Sequence, residues 1–298
     1  MIFNGDEKQL LQDVKGGKSY FSYIPDDIGE ILFCTTTTQS AKPMSKRNRF
    51  ILLVLSILVP GLLIYLFYDV ILVDIVCLFA ACVGIEIALF YKGTDYFVGT
   101  EGFAIAEFKK SRSNVVSKKV VRWDEVEDVI ATEWVKVEKR DEKLMYFIRV
   151  NGRKKDAGQG RCELARFEDD YQDGKLKSIY NYEVRFWKAV EERWMEYIWP
   201  KVQAKYDGGE EVAFHEYFGG ECRENYVRLQ GKNLIVGKMA FREGDIQKVE
   251  ADDEKITIYG SDYDTHLFGL VKEGTTCEIY LRTIGNCQIL KHILKEHF

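Results

Sequence analysis

Residues 50–91 read FILLVLSILVPGLLIYLFYDVILVDIVCLFAACVGIEIALFY, an apolar run broken near its middle, whose first acidic residues are Asp69 and Asp74. A bilayer core needs about 20 apolar helical residues to cross, so the run has the length for two spans and a very short turn. Backbone amides in lipid find no water to bond, which leaves helices as the structure to expect. The stretch therefore predicts a transmembrane helical hairpin over 50–91.

The flanks orient that hairpin. Lys42, Lys46, Arg47 and Arg49 precede the first span and Lys92 follows the second, whereas the turn carries Asp69 and Asp74 and no Lys or Arg. Basic residues near span ends stay on the cytoplasmic side, which predicts a multi-pass protein of the cytoplasmic membrane with both termini in the cytosol. Pro60 and Gly61 fall mid-span, where a kink is tolerated. Glu86 lies about 8 Å inside the cytoplasmic end at 1.5 Å per residue, close enough to snorkel, although an intramembrane carboxylate is also a functional candidate. The N-terminus, MIFNGDEKQLLQDV, shows neither the basic and apolar regions of a cleavable signal nor a glycine after Met1 for myristoylation.

Outside the hairpin the chain is polar. Its mean hydropathy of -0.22 averages a very apolar segment with charged flanks, and 298 residues leave room for about two domains of 100–200 residues each. A formal net charge of -5 argues against nucleic acid as the partner, because phosphate binding needs a concentrated basic face. The seven cysteines include no C-x-x-C pair and read as reduced thiols.

After Lys92 the pattern turns to short alternating strands. Tyr96 and Val98, then Phe103, Ile105 and Phe108, flank a Thr100-Glu101-Gly102 turn and predict a hairpin. Further strands are expected at Val115–Trp123, Ile130–Val137 and Leu144–Val150. A long helix follows from Ser178 to Lys205, with Ile179, Tyr182, Phe186, Val190, Trp194, Tyr197 and Ile198 on one face. The sequence then starts again: Tyr226–Leu229 and Leu234–Val236 form a second hairpin, strands follow near Lys255–Tyr259 and Thr276–Leu281, and a helix from Gly285 to Lys295 closes the unit. The segment VRWDEVEDV (121–129) aligns without gaps to FREGDIQKV (241–249), each reading apolar, Arg, two variable residues, acid, aliphatic, two polar residues, Val.

Strand-turn-strand FVGTEGFAI and the segment VRWDEVEDV, placed just after an apolar hairpin, resemble the bacterial pleckstrin-homology-like membrane proteins. The resemblance implies a bent seven-stranded sheet or partly open barrel capped by a C-terminal helix, over 93–205 and more weakly over 208–298, with residues 1–49 outside it. The fold class expected is thus α+β with membrane helices, a transmembrane hairpin followed by two such modules. The family carries no catalytic signature, and no cofactor is implied.

Within the first copy, Lys109, Lys110, Arg112, Lys118 and Lys119 surround one strand connection. Basic hairpin loops hold anionic lipid heads in eukaryotic pleckstrin-homology domains, and a cation beside an anionic leaflet is worth about 1 kcal/mol. The group is either a lipid contact or a solvated loop. The glycine- and charge-rich tract Asn151–Lys175 has no phosphate-binding spacing and reads as a mobile loop or a partner-binding insertion. The four histidines show no metal-ligand spacing, no nucleophile elbow or credible triad is present, and the acidic pairs read as turns. The aromatics on the long helix, Trp187, Trp194, Tyr197 and Trp199 among them, serve packing between copies or a partner. The function expected is non-catalytic binding or scaffolding at the membrane, through lipids, a protein partner or self-association. The alternative is an effector whose cytosolic barrels sense a ligand and drive hairpin oligomerisation.

Overall fold

The structure, a computed structural model, describes residues 5–16, 21, 23–37, 46–66, 71–89, 92–109, 113–138, 141–153, 162–171, 182–218, 221–252, 254–266 and 271–298. They fall into two compact units, one within 2–120 and one within 121–298.

The first unit begins with α1 (Gly5–Lys15) and β1 (Ile31–Thr36), then α2 (Lys46–Leu66), α3 (Ile71–Leu89), β2 (Lys92–Gly99), β3 (Gly102–Lys109) and β4 (Val115–Arg122). The four strands make one antiparallel sheet in chain order. Strand β1 pairs with β2 from Ile31 opposite Gly99 to Thr36 opposite Asp95, so the chain leaves the sheet after β1, forms both helices and returns as the neighbouring strand. Phe21, Ile28, Ile31, Cys34, Phe97 and Ala104 form its core, with Leu10, Leu11 and Val14 of α1 packed on it. The ring of Phe21 meets that of Phe97 edge-on at 4.8 Å.

The predicted transmembrane hairpin is corrected here. Among the described residues no helix is long and apolar enough to cross a membrane. Four polar residues, Lys46, Arg47, Asn48 and Arg49, occupy the first turn of α2. Only residues 50–66 remain apolar, about 25 Å at 1.5 Å per residue against a core of about 30 Å. Helix α3 has 19 residues and carries Asp74 and Glu86 within them. With the spans go the α+β class with membrane helices and the multi-pass placement in the cytoplasmic membrane with cytosolic termini, which rested on those spans. The described chain is mostly antiparallel β-sheet with five α-helices.

The second unit continues with β5 (Val126–Glu138), β6 (Asp141–Gly152), β7 (Cys162–Tyr171), α4 (Tyr182–Asp207), β8 (Val212–Phe218), β9 (Glu221–Gln230), β10 (Asn233–Val236) and β11 (Met239–Phe241). Then come β12 (Ile246–Ala251), β13 (Lys255–Gly260), β14 (Asp264–His266), β15 (Val271–Glu273), β16 (Thr276–Tyr280) and α5 (Cys287–His297). Its sheets run β5-β6-β7, β11-β10-β9-β8, β12-β13-β16 and the small β14-β15 pair. Strand β7 lies inside the tract read from sequence as a loop, because its alternation is short and its flanks are charged. Pro200 does not end the long helix, which continues to Asp207.

The order of elements therefore repeats. Four strands, three strands and a helix (β1–β4, β5–β7, α4) are followed by four strands, three strands and a helix (β8–β11, then β12, β13 and β16, then α5). The aligned segments have one local structure. The backbone N–H of Arg122 donates to Glu125 Oε2 at 3.2 Å, and that of Arg242 to Asp245 Oδ2 at 2.7 Å. The following strand slips register at the same place, between Val126 and Asp128 opposite Gly152 and between Ile246 and Lys248 opposite Gly260. The residue after each glycine then donates to the acid's carbonyl, Arg153 to Glu125 at 3.0 Å and Ser261 to Asp245 at 2.7 Å. An acidic side chain satisfying a turn amide and a bulge behind it explain why the pattern is Arg, two residues, acid.

Alternating burial in β13 (Ile256, Ile258) and β16 (Cys277, Ile279) points one face inward, where Ile289, Leu290, Ile293 and Leu294 of α5 cover it at helical spacing. Helix α4 serves both halves of the unit. Trp187 stacks on Phe167 of β7 with ring centroids 6.2 Å apart, while Met195, Ile198, Trp199, Val202 and Tyr206 pack on the α5 core.

One buried polar cluster ties these halves. Asn286, at the N-terminus of α5, has φ of 56°, a left-handed conformation that Asn tolerates better than most residues. Its N–H donates to Val129 O at 2.8 Å, and its Oδ1 accepts from Val129 N at 3.1 Å and from Trp194 Nε1 at 2.7 Å. Its Nδ2 donates to Glu127 O and to Asp128 Oδ1, both at 3.1 Å. Asp128, 2% exposed, accepts from Tyr217 Oη at 2.5 Å on its other oxygen. A side chain at position 285 would collide with the Asp128 carboxyl, so glycine is required there. Removing one partner from such a cluster strands the rest without water. Asn286→Ala is expected to lower unfolding stability by about 2–4 kcal/mol in urea titration. Asp128→Ala should cost less in that background than alone, because the two share bonds.

Candidate binding surfaces

Of the basic residues singled out from sequence, Lys109, Lys118, Lys119, Lys46, Arg47 and Arg49 lie among the described residues. Lys109 ends β3 and is exposed. Lys118 and Lys119 are exposed on β4, and the Lys118 ammonium lies 4.0 Å from the centroid of the Tyr23 ring. Asn114 bonds the backbone of Lys109, so Lys118 stands about four residues along β4, roughly 13 Å from the strand connection. Lys110 and Arg112 lie outside the described residues, as does Lys42. Lys46, Arg47 and Arg49 share the first turn of α2, where Arg47 is exposed.

The same unit carries a large apolar surface. Among the described residues nine large apolar side chains on α2 and four on α3 are exposed, with Leu58 at 62% and Phe79 at 71%. The two helices meet closely through small residues: a side chain at position 84 would overlap Ser56 Oγ, which instead donates to Leu52 O at 2.7 Å. Ser56, Pro60 and Cys77 are buried, while Gly61, Ala80 and Cys82 are exposed together with the large residues, so the close approach is made at Ser56 and Gly84.

In the second unit a cleft of about 530 Å³ opens beside β5, lined by Thr132, Glu133, Trp134, Tyr146, Glu191, Glu254, Gln288 and Lys291, with Ala131 and Leu281 beneath. That is within the usual size of a small-molecule site. The bulged strand β5 supplies one wall and α5 the other, with Glu191 of α4 at the back. Tyr146 Oη donates to Glu191 Oε2 at 3.0 Å. Burial pushes the Glu191 carboxyl above the usual carboxylate range, and the Glu133 charge adds to this, while Tyr146 and Lys188 oppose it. Behind it, burial first and the Glu191 charge second push the Cys287 thiol up to about 12, which makes it inert as a nucleophile. The Thr132 side chain is 6% exposed and its Oγ1 has no hydrogen-bond partner.

Carboxylates and aromatic rings recur around the rim. Lys188 Nζ lies 2.7 Å from Glu133 Oε1 and 5.7 Å from the centroid of the Tyr146 ring. Arg282 lies 4.4 Å above the Trp134 ring and 3.5 Å from Glu254 Oε1. Among the described residues no three His, Cys, Asp or Glu side chains are grouped to hold a metal. The His292 ring meets Trp199 edge-on with centroids 4.6 Å apart, and His297 lies tilted against Tyr206 at 4.8 Å.

Sequence reading missed the cleft because its residues come from six separated places: β5, β6, α4, the turn before β13, the turn after β16 and α5. One signal was present: Trp187, Glu191 and Met195 recur every four residues, so a glutamate interrupts an otherwise apolar helical stripe.

A carboxyl whose folded pKa is raised holds its proton in the folded state over a pH range where the unfolded chain has lost it. Stability from that group is present below the unfolded value and declines as pH rises through the folded one. Glu191→Gln cannot ionise, so its stability relative to the parent should improve as pH rises above the ordinary glutamate value and level off once pH passes the raised folded value. Urea midpoints measured from pH 4 to pH 8 check this, and a pH-independent difference would contradict it. No protein-family model, no curated protein and no solved structure matches this chain.

Proposed function

We propose that this chain is a non-catalytic binding and assembly protein that self-associates through α2 and α3. The observation that carries the reading is the exposed apolar surface of that helix pair. Thirteen large side chains left open expose on the order of 1,000 Å², above the few hundred usual for a monomer and comparable with one side of a stable interface. Each such group prefers an apolar neighbour by about 25 cal/mol per Å². A second copy offers the same surface, so pairing copies covers both at once. The close approach at Ser56 and Gly84 fixes α2 and α3 as one body, and its large residues remain free for the partner.

A binding role is also supported by the chemistry of the second unit. The Cys287 thiol, buried behind the cleft, is held protonated, and His292 and His297 of α5 are engaged with aromatic rings. The repeated order of four strands, three strands and a helix supports the likeness to pleckstrin-homology-like modules, which act by binding.

Sedimentation velocity of the purified chain at micromolar concentration tests the proposal. The parent should sediment as a discrete oligomer. A variant with Leu58→Lys and Phe79→Lys should be monomeric with an unchanged far-ultraviolet circular dichroism spectrum. A monomeric parent, or a parent that partitions into lipid vesicles as a monomer, would sink it.

A further inference from the structure

We infer that the cleft between β5 and α5 is a recognition site for an organic cation, a primary ammonium or guanidinium that reaches Glu191. The inference is independent of self-association, since the cleft belongs wholly to the unit within 121–298.

Two features point to this ligand class. The rim is built twice from a carboxylate beside an aromatic face, Glu133 with Tyr146 and Glu254 with Trp134, and each pair holds one of the chain's own cations. Lys188 occupies the first pair and Arg282 the second. A carboxylate combined with a ring face is how proteins hold ammonium and guanidinium groups. The interior of the cleft places Glu191 near Trp134 with no cation in contact with its carboxyl among the described residues. Among the described residues Glu191 accepts only the Tyr146 hydroxyl, and no Lys or Arg forms an ion pair with it.

The second feature is an unfilled polar atom. Thr132 lines the same cleft, its side chain is 94% removed from solvent, and its Oγ1 bonds nothing. Buried hydroxyls normally have a partner. A ligand ammonium has three N–H donors, enough to satisfy Glu191 and Thr132 together while its methylene chain lies on Trp134. Lys291 does not fill this place, because its Nζ is turned to Asp252 O at 2.7 Å.

Binding is coupled to a proton. Glu191 is faced by Glu133 of β5, Tyr146 of β6, Lys188 of its own helix and Cys287 of α5, with Glu254 and Lys291 on the same cleft. In the empty cleft burial favours the neutral acid, and an incoming cation favours the carboxylate. The Glu191 proton then leaves to solvent as the ammonium enters.

Calorimetry of the full chain with spermidine, in two buffers of different ionisation enthalpy, tests this. The expected result is one site with a buffer-dependent heat. Glu191→Gln should weaken binding by about tenfold, the worth of one charge-assisted hydrogen bond, and abolish the buffer dependence. Glu210→Gln, the same charge change on an exposed residue outside the cleft, should leave both unaltered. Thr132→Val keeps the shape and removes the hydroxyl, so it carries the test if Glu191→Gln fails to fold, and it too should weaken binding. No binding at millimolar spermidine, equal losses in the Glu191 and Glu210 variants, or unchanged affinity in Thr132→Val would overturn the assignment.

Discussion

The side chain of Asn286 is the constraint on which the second unit depends. It stands where α5 begins and spends its hydrogen bonds on β5 residues 157 to 159 positions earlier in the chain and on Trp194, 92 positions earlier. An N-terminal cap normally serves its own helix. Here Oδ1 instead joins a β5 amide to the Trp194 indole, so one residue fixes a strand, two helices and their mutual spacing. The left-handed backbone at Asn286 and the glycine before it are consequences of that approach. Because water is excluded, each member of the cluster depends on the others. The cleft inherits this rigidity, since Ala131 to Trp134 continue the strand that Asn286 holds.

The two copies of the Arg-x-x-acid turn show how one local structure is put to different ends. In both, an acid closes a turn and a bulge follows. In the first copy the bulge places Asp128 inward, where Tyr217 and Asn286 bond it. In the second the corresponding residue is Lys248, exposed and paired with Glu250. The bulge reorients whichever side chain it holds, and the identity of that side chain decides whether the turn seals an interior or faces water.

The helix pair in the first unit obeys a different balance. Its close helix contact is made by Ser56 and Gly84, and among the described residues thirteen of its large apolar side chains are exposed, unlike a helix laid on a core. Strands β1 and β2 pair as neighbours although the helices intervene between them. The cost of closing such a long connection grows only slowly with its length, so an excursion of this kind leaves the sheet intact.

Local pattern determined much of the architecture from sequence alone. The alternation of β2, β3, β6, β9, β13 and β16, the helical stripes of α4 and α5, and the duplicated turn at 121–129 and 241–249 are all periodic or paired signals that need no tertiary partner to be read. Apolar content also marked α2 and α3 as helices. Their spanning a membrane did not follow, because the first turn of α2 is spent on polar residues and α3 carries two acids. Tertiary structure decided what composition could not. Strand β1 is recognised by its pairing with β2, and β7 by its place beside β6, since neither has enough apolar alternation of its own. The cleft is decided the same way: Thr132, Tyr146, Glu191 and Glu254 are unremarkable where each stands, and only the packing of β5 against α5 and α4 brings a carboxyl held by a tyrosine hydroxyl, an unbonded hydroxyl and two aromatic faces into one cleft.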